Sequence, residues 1–210
     1  VHVSAPGRQT KWWYAKNFLT PAAVAGYRYV FVWDEDIGAE AFDPDRYVQI
    51  ADEHGLRISQ PALGGGTYGS WPVTRRVEGG PGVLHRSHPT KPDGSPCDGE
   101  PPCARYAEIM CPVFSAEAWG CVWHMVQNDL VHGWGLDLHW HRCAASPGDP
   151  HGARGVAVVD EQWVAHLAAP TLRDEGAGAG AGAARGAGRA AAHERRRLEW
   201  GVFEARWRGE

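Results

Sequence analysis

YRYVFVWDEDIG, residues 27–38, begins as a strand and ends in acid. Tyr29, Val30, Phe31 and Val32 are β-branched or aromatic, the types that fit a pleated, buried surface. Because the run is continuously apolar, it predicts a strand covered on both faces. It stops at Trp33, and Asp34, Glu35 and Asp36 follow. Carboxylates at the end of a buried strand are costly to keep ionised, since desolvation and mutual repulsion both raise their pKa. A divalent cation is the usual remedy. Asp34 and Asp36 are two residues apart and point the same way on an extended chain. Hard oxygen donors of this kind suit Mg²⁺, Mn²⁺ or Ca²⁺. In open α/β sheets, ligands bind beyond the carboxyl ends of the strands. The competing reading is a solvated acidic turn.

Working outward, Thr10 predicts an N-cap for a helix over residues 11–19, and Pro21 allows a second short helix before the strand. Beyond the acidic turn, Asp43-Pro44 reads as cap and first helical position. That helix carries Tyr47, Val48, Ile50 and Ala51 and ends at Gly55. Residues 56–63 read as the next strand. The order α-β-α-β predicts an α/β fold with a parallel or mixed sheet between helices. Residues 64–103 are turn-rich. Within them, residues 73–76 and 83–86 suggest a short hairpin whose Arg75, Arg76, His85 and Arg86 would face a diphosphate or line a solvated strand.

In the second half, residues 104–114 regain strand character, interrupted by Glu108. A buried carboxylate needs a partner or a task. Ser115 then predicts the cap of a helix, with Trp119, Val122, Trp123 and Val126 on one face. Gly133, Trp134 and Gly135 permit close backbone approach and set an aromatic face beside Asp137. Trp stacks on sugar rings, and a carboxylate accepts a hydroxyl proton. The plainer reading is a core Trp, with Asp137 and Asp129 as helix caps. Residues 156–159 predict another strand, followed by Asp160 and His166. His124, His132, His139, His141 and His151 gather in the same half. Residues 176–192, GAGAGAGAARGAGRAAA, carry too little side chain to offset ordering entropy and read as a flexible linker, placed over 173–192. Residues 193–210 read as a helical tail.

At 210 residues the chain can build one sizeable core, placed over residues 1–172. A net charge of −4 gives no general electrostatic case for nucleic acid or a membrane surface. No apolar window is long enough to cross a bilayer. The five cysteines do not fit zinc spacings, and Cys97 and Cys103 bracket a Pro/Gly/Asp loop that reads as a disulfide-closed turn. A secretory lumen is compatible with this usage.

Several stretches in order resemble one family: QTKWWYAKNFL (9–19), YVFVWDEDIG (29–38), FDPDRYVQI (42–50), GLRISQPAL (55–63), PPCARYAEIMCPVFSAEAW (101–119), VQNDLVHGWGLD (126–137) and VVDEQWVAHLAAPTL (158–172). The chain is identified as a member of the plant-rich domain of unknown function 707 family, also called lysine-ketoglutarate reductase trans-splicing-related proteins. RRRLEWGVFEARW (195–207) is similar to that family's C-terminal tail. No G-x-G-x-x-G follows a strand, so the inherited name brings no nicotinamide chemistry with it.

The family looks like the GT-A nucleotide-diphospho-sugar transferases. The resemblance implies a divalent cation, Mn²⁺ or Mg²⁺, held by Asp34, Asp36 and His166, with Arg75 and Arg76 at the donor diphosphate. It implies Asp137, or else Glu108, as the proton acceptor, and Trp134 with Gly135 as the acceptor platform. Base catalysis by Asp137 would make the transfer inverting. Its partners would be a nucleotide-sugar donor and a carbohydrate or glycoconjugate acceptor, with no nucleic acid. The location would be the Golgi lumen, and membrane attachment would use an N-terminal anchor absent from this chain. Family members carry strands ahead of the segment matching residue 9, so the chain reads as N-terminally truncated and its activity as open. Cys111 is left as the odd thiol, and the remaining cysteines would pair as Cys97–Cys103 and Cys121–Cys143. The rival reading is a non-catalytic carbohydrate-binding or scaffold protein that keeps the fold. A metal-dependent hydrolase fits the carboxylates but not the resemblance.

Overall fold

A computed structural model describes residues 9–65, 71–78, 83–86, 105–150, 152, 154–167 and 182–209, with side chains in the last segment from residue 194 onward. Helices α1 (Lys11–Phe18) and α2 (Pro21–Val24) precede strand β1 (Tyr29–Phe31). Thr10 and Thr20 cap them, accepting from the amides of Trp13 and Ala23. After the acidic turn come β2 (Ile37–Gly38) and α3 (Pro44–Glu53). Asp43 caps α3 by accepting from Asp45 and Arg46 at 3.0 and 3.2 Å. Gly55 follows α3 with φ +62°, the left-handed geometry that glycine adopts at helix ends. Strand β3 (Ile58–Leu63), a 3₁₀ turn at Pro72–Thr74 and β4 (Leu84–His85) lead to β5 (Val113–Ser115) and α4 (Ala116–Met125), which Ser115 caps. Helix α5 (Leu136–His139) and a 3₁₀ turn at Trp140–Ala144 precede β6 (Val156–His166) and α6 (Gly182–Gly209).

The strands form one mixed sheet in the order β1-β5-β3-β6-β2, with β4 also on β6. Among the described strands, β3 and β6 run parallel and the other pairs are antiparallel. All six residues of β3 are buried, as expected for a strand with neighbours on both edges and layers on both faces. On one face Ile58, Phe114 and Val156 meet Trp12, Trp119, Trp140 and Phe203 from the helices. On the other, Val113, Ala157 and Val159 meet Tyr47, Ile50 and Ala51 of α3. Neighbours in sequence thus serve opposite layers, the period-two rule of a strand.

Four elements differ from the sequence reading. The strand expected at 156–159 continues to His166, because a bulge absorbs its polar middle. Pro61 pairs with Val159 and Ala62 with Trp163, so Asp160, Glu161 and Gln162 arch out of register. Each arched side chain finds a partner. Asp160 takes the Val77 amide and His85, Glu161 takes Arg46, and Gln162 takes the Asp43 amide. The strand expected over 104–114 is confined to its end, because residues 107–112 turn to bury Ala107, Met110 and Cys111. No 73–76/83–86 hairpin forms; β4 pairs with β6, and Pro72 starts a helical turn instead. Helix α6 begins at Gly182, inside the stretch read as linker through Ala192, where alanine's high helix propensity offsets the intervening glycines. A disulfide joins Cys121 of α4 to Cys143, and Cys111 is a buried free thiol. Cys97 and Cys103 lie outside the described residues.

Candidate functional site

The acidic turn after β1 is neutralised from within the chain. The Lys11 ammonium lies 2.8 Å from Asp34 Oδ1 and donates to the carbonyl of Met110 at 2.9 Å and to that of Ile109. Its three N–H groups therefore each have an oxygen. Helix α1 fixes this placement. Its next residue, Trp12, is 1% exposed and packs so tightly on Gly133 that a Cβ there would stand 2.6 Å from the indole. Burial pushes the Lys11 pKa down and Asp34 opposes that shift. Burial likewise raises Asp34, against the pull of Lys11. Asp36 meets a different partner. His166 Nε2 lies 3.1 Å from Asp36 Oδ2, across 130 residues of sequence, because β2 pairs antiparallel with the end of β6.

Glu108 and Asp137 form the second part of the site. Glu108 is buried beside β3, and its amide donates to the Gln60 side-chain oxygen. Its carboxyl is pushed up to about 8, first by burial and then by the charge of Asp137, with Asp34 adding to the rise. The hydrogen bonds agree with a protonated Glu108. The Thr74 hydroxyl lies 3.0 Å from the carbonyl oxygen of Trp71 and 3.2 Å from Glu108 Oε2. One hydroxyl hydrogen cannot serve both acceptors. A proton on Glu108, given to Thr74 while Thr74 donates to Trp71, satisfies all three groups.

Asp137 sits in the first turn of α5 and accepts from the Tyr106 hydroxyl at 2.9 Å. Burial raises its pKa, while Tyr106 and the amides of Ile109, Asp137 and Leu138 pull it back toward the carboxylate. Two carboxyls whose surroundings separate their protonation are the ordinary form of an acid–base pair. Tyr106 itself is held neutral by burial and the Asp137 charge.

The remaining candidates serve other contacts. Arg76 donates to the Asp160 carbonyl and lies over the Trp163 ring. His85 bridges Asp160 and the Val73 carbonyl, and Arg86 donates to the Arg154 carbonyl. Arg75 is exposed one residue beyond Thr74. Trp134 faces Arg196 of α6 at 5.8 Å, so the expected acceptor platform lies under the C-terminal helix. Gly135 (φ +96°) explains the fit, since a Cβ there would stand 2.7 Å from Trp200 and 2.9 Å from Phe203. Asp129 pairs with Arg206 rather than capping a helix, His132 with Glu199, and His139 with Glu204. Burial and nearby Arg105 and Arg142 lower His141 to about 4. His151 lies outside the described residues.

Lys11, Thr74 and Tyr106 are the site residues that sequence reasoning missed. Each reaches its carboxylate from a distant segment, and no local pattern in the sequence marks it. The three side chains expected to hold a cation do not fit one as placed, because Asp34 already holds the Lys11 ammonium and Asp36 holds His166. Among the described residues, no three His, Cys, Asp or Glu side chains gather closely enough to bind a metal.

The fold and site define a mixed α/β protein with a carboxyl pair, buried at Glu108 and partly buried at Asp137, beside an acidic turn that holds a lysine. The chain belongs to the family described as protein of unknown function (DUF707), whose family model matches residues 1–210. No curated protein matches the chain, and no solved structure does.

Proposed function

We propose that the chain is a GT-A-like glycosyl-transfer domain, acting on a nucleotide-sugar donor and a carbohydrate hydroxyl. The observation that carries this reading is the Glu108–Asp137 pair, in which Glu108 is pushed up to about 8 while Tyr106 and backbone amides oppose the rise that burial gives Asp137. In the proposed step the acceptor oxygen attacks the anomeric carbon. The acceptor's proton passes to the Asp137 carboxylate, held by Tyr106. The bond to the diphosphate breaks, and Glu108 gives its proton to the departing oxygen. Transfer of the proton from Asp137 back to Glu108 resets the pair. General acid–base help of this kind is worth on the order of 10²–10⁴ in rate. Arg75, exposed beside Thr74, is the cation offered to the diphosphate. The Cys121–Cys143 disulfide supports an oxidising lumen of the secretory pathway, such as the Golgi.

The test is release of nucleoside diphosphate from a panel of nucleotide sugars, each with mono- and oligosaccharide acceptors. One donor should turn over, and Glu108→Gln and Asp137→Asn should each lower kcat by about 10² or more. A second reading, carbohydrate binding without turnover, is favoured by the covering of Trp134 and Gly135 by α6. Saccharide binding with no donor turnover would select it. Neither turnover nor binding would reject both.

A further inference from the structure

The acidic turn carries its own counter-cation. The Lys11 ammonium is surrounded by one carboxylate oxygen and two carbonyl oxygens, from Asp34, Ile109 and Met110. That donor set, all oxygen with one charge, is the kind a hard metal ion takes. Each part of the cage is fixed independently. The Asp34 amide donates to the Met110 carbonyl at 2.9 Å, locking the turn to the 107–112 segment. Trp12 anchors α1 between Gly133 and Trp140, which fixes the backbone from which Lys11 reaches the turn. Asp36, two residues on, is held by His166. We propose that Lys11 is the resident cation of this site, filling by an ammonium the oxygen cage that a divalent ion would otherwise occupy, so that ligand binding at the acidic turn needs no metal on Asp34. A metal entering here must displace a partly buried, fully hydrogen-bonded ammonium. Lys11 acts on any ligand through Asp34 and the turn, which makes it a positioning residue. The inference stands whether or not the chain transfers sugar.

The experiment is titration of Mn²⁺ alone into the full chain, by calorimetry and by paramagnetic broadening of backbone amide signals. In the wild type, the amides of Asp34, Met110 and Cys111 should stay sharp, and Asp34→Asn should change Mn²⁺ affinity by less than about twofold. Lys11→Met should open the cage, giving Mn²⁺ binding that the double variant Lys11→Met/Asp34→Asn weakens by about tenfold or more. Broadening of those amides in the wild type overturns the proposal and needs no variant to fold. Equally, a folded Lys11→Met chain that takes up no Mn²⁺ overturns it. Failure of every sugar nucleotide to turn over leaves these readouts unchanged, so the two proposals fail separately.

Discussion

Replacing Glu108 with Gln should change the pH dependence of stability more than stability at any one pH. Gln keeps the shape and a hydrogen-bonding head but does not titrate. In the folded chain Glu108 is raised from 4.5 to about 8. It therefore binds more protons folded than unfolded between those values, and its contribution to stability falls as pH rises through that window. Below 4.5 it is protonated in both states and the penalty vanishes. Above 8 the penalty is complete. Between pH 5.5 and 8.5 the wild type should lose about 3 kcal/mol from this group alone, at 1.36 kcal/mol per pKa unit. Asp34 and Asp137 also titrate upward in the fold, so the quantity to measure is wild type minus variant. Urea unfolding of both at pH 5.5, 7 and 8.5 gives that difference directly. Glu108→Gln should gain on the wild type as pH rises. A difference that stays flat within about 0.5 kcal/mol would show that Glu108 is not a buried protonated acid. The proton assigned to the Thr74–Trp71 chain would then be wrong as well.

Four further outcomes follow from the contacts of α6 and the disulfide. Phe203→Ala should destabilise by about 3–5 kcal/mol in chemical denaturation, since the ring is fully buried in the main core. Arg206→Ala should cost no more than about 1 kcal/mol, because its bidentate pair with Asp129 is exposed to water. Gly135→Val should speed amide hydrogen exchange across α6, since its Cβ would overlap Trp200 and Phe203 at a left-handed backbone; protection equal to the wild type would refute that packing. Cys121→Ala/Cys143→Ala should lower stability by about 3 kcal/mol for a loop of this length, read by thermal melting under non-reducing conditions.

Much of the secondary structure was legible locally. Thr10, Asp43 and Ser115 announce three helices by cap chemistry, and each caps as expected. The strand at 29–31 follows from residue type, and β3 lies inside the strand expected over 56–63, although nothing in Ser59, Gln60 and Pro61 announces that it is buried throughout. What failed was decided by distant partners. Residues 160–162 look like the end of a strand because they are polar. They become its bulge only because Arg46, His85 and Asp43 stand ready to receive them. The 73–76 segment looks extended, but Pro72 and the demand of Glu108 for a hydroxyl make it a turn that presents Thr74. In the site, the carboxylates were visible as misplaced charges in apolar surroundings. Their neutralisers were not. A lysine in an aromatic helix carries no mark of pairing with Asp34, and the choice between cation and lysine at that turn is made by tertiary packing.

The register of β6 against β3 has a consequence for how the chain matures. The two strands are the central parallel pair of the sheet, yet about a hundred residues separate them in sequence, and such non-local pairings form slowly. During synthesis β3 emerges long before β6 and presents an apolar edge with unsatisfied amides, the surface on which chains mispair. His166, at the far end of β6, reaches Asp36 only once that strand has docked. A nascent chain stalled before residue 156 would therefore be aggregation-prone and would lack a completed acidic turn. Native contact between His166 and Asp36 would thus report that the ribosome has released β6.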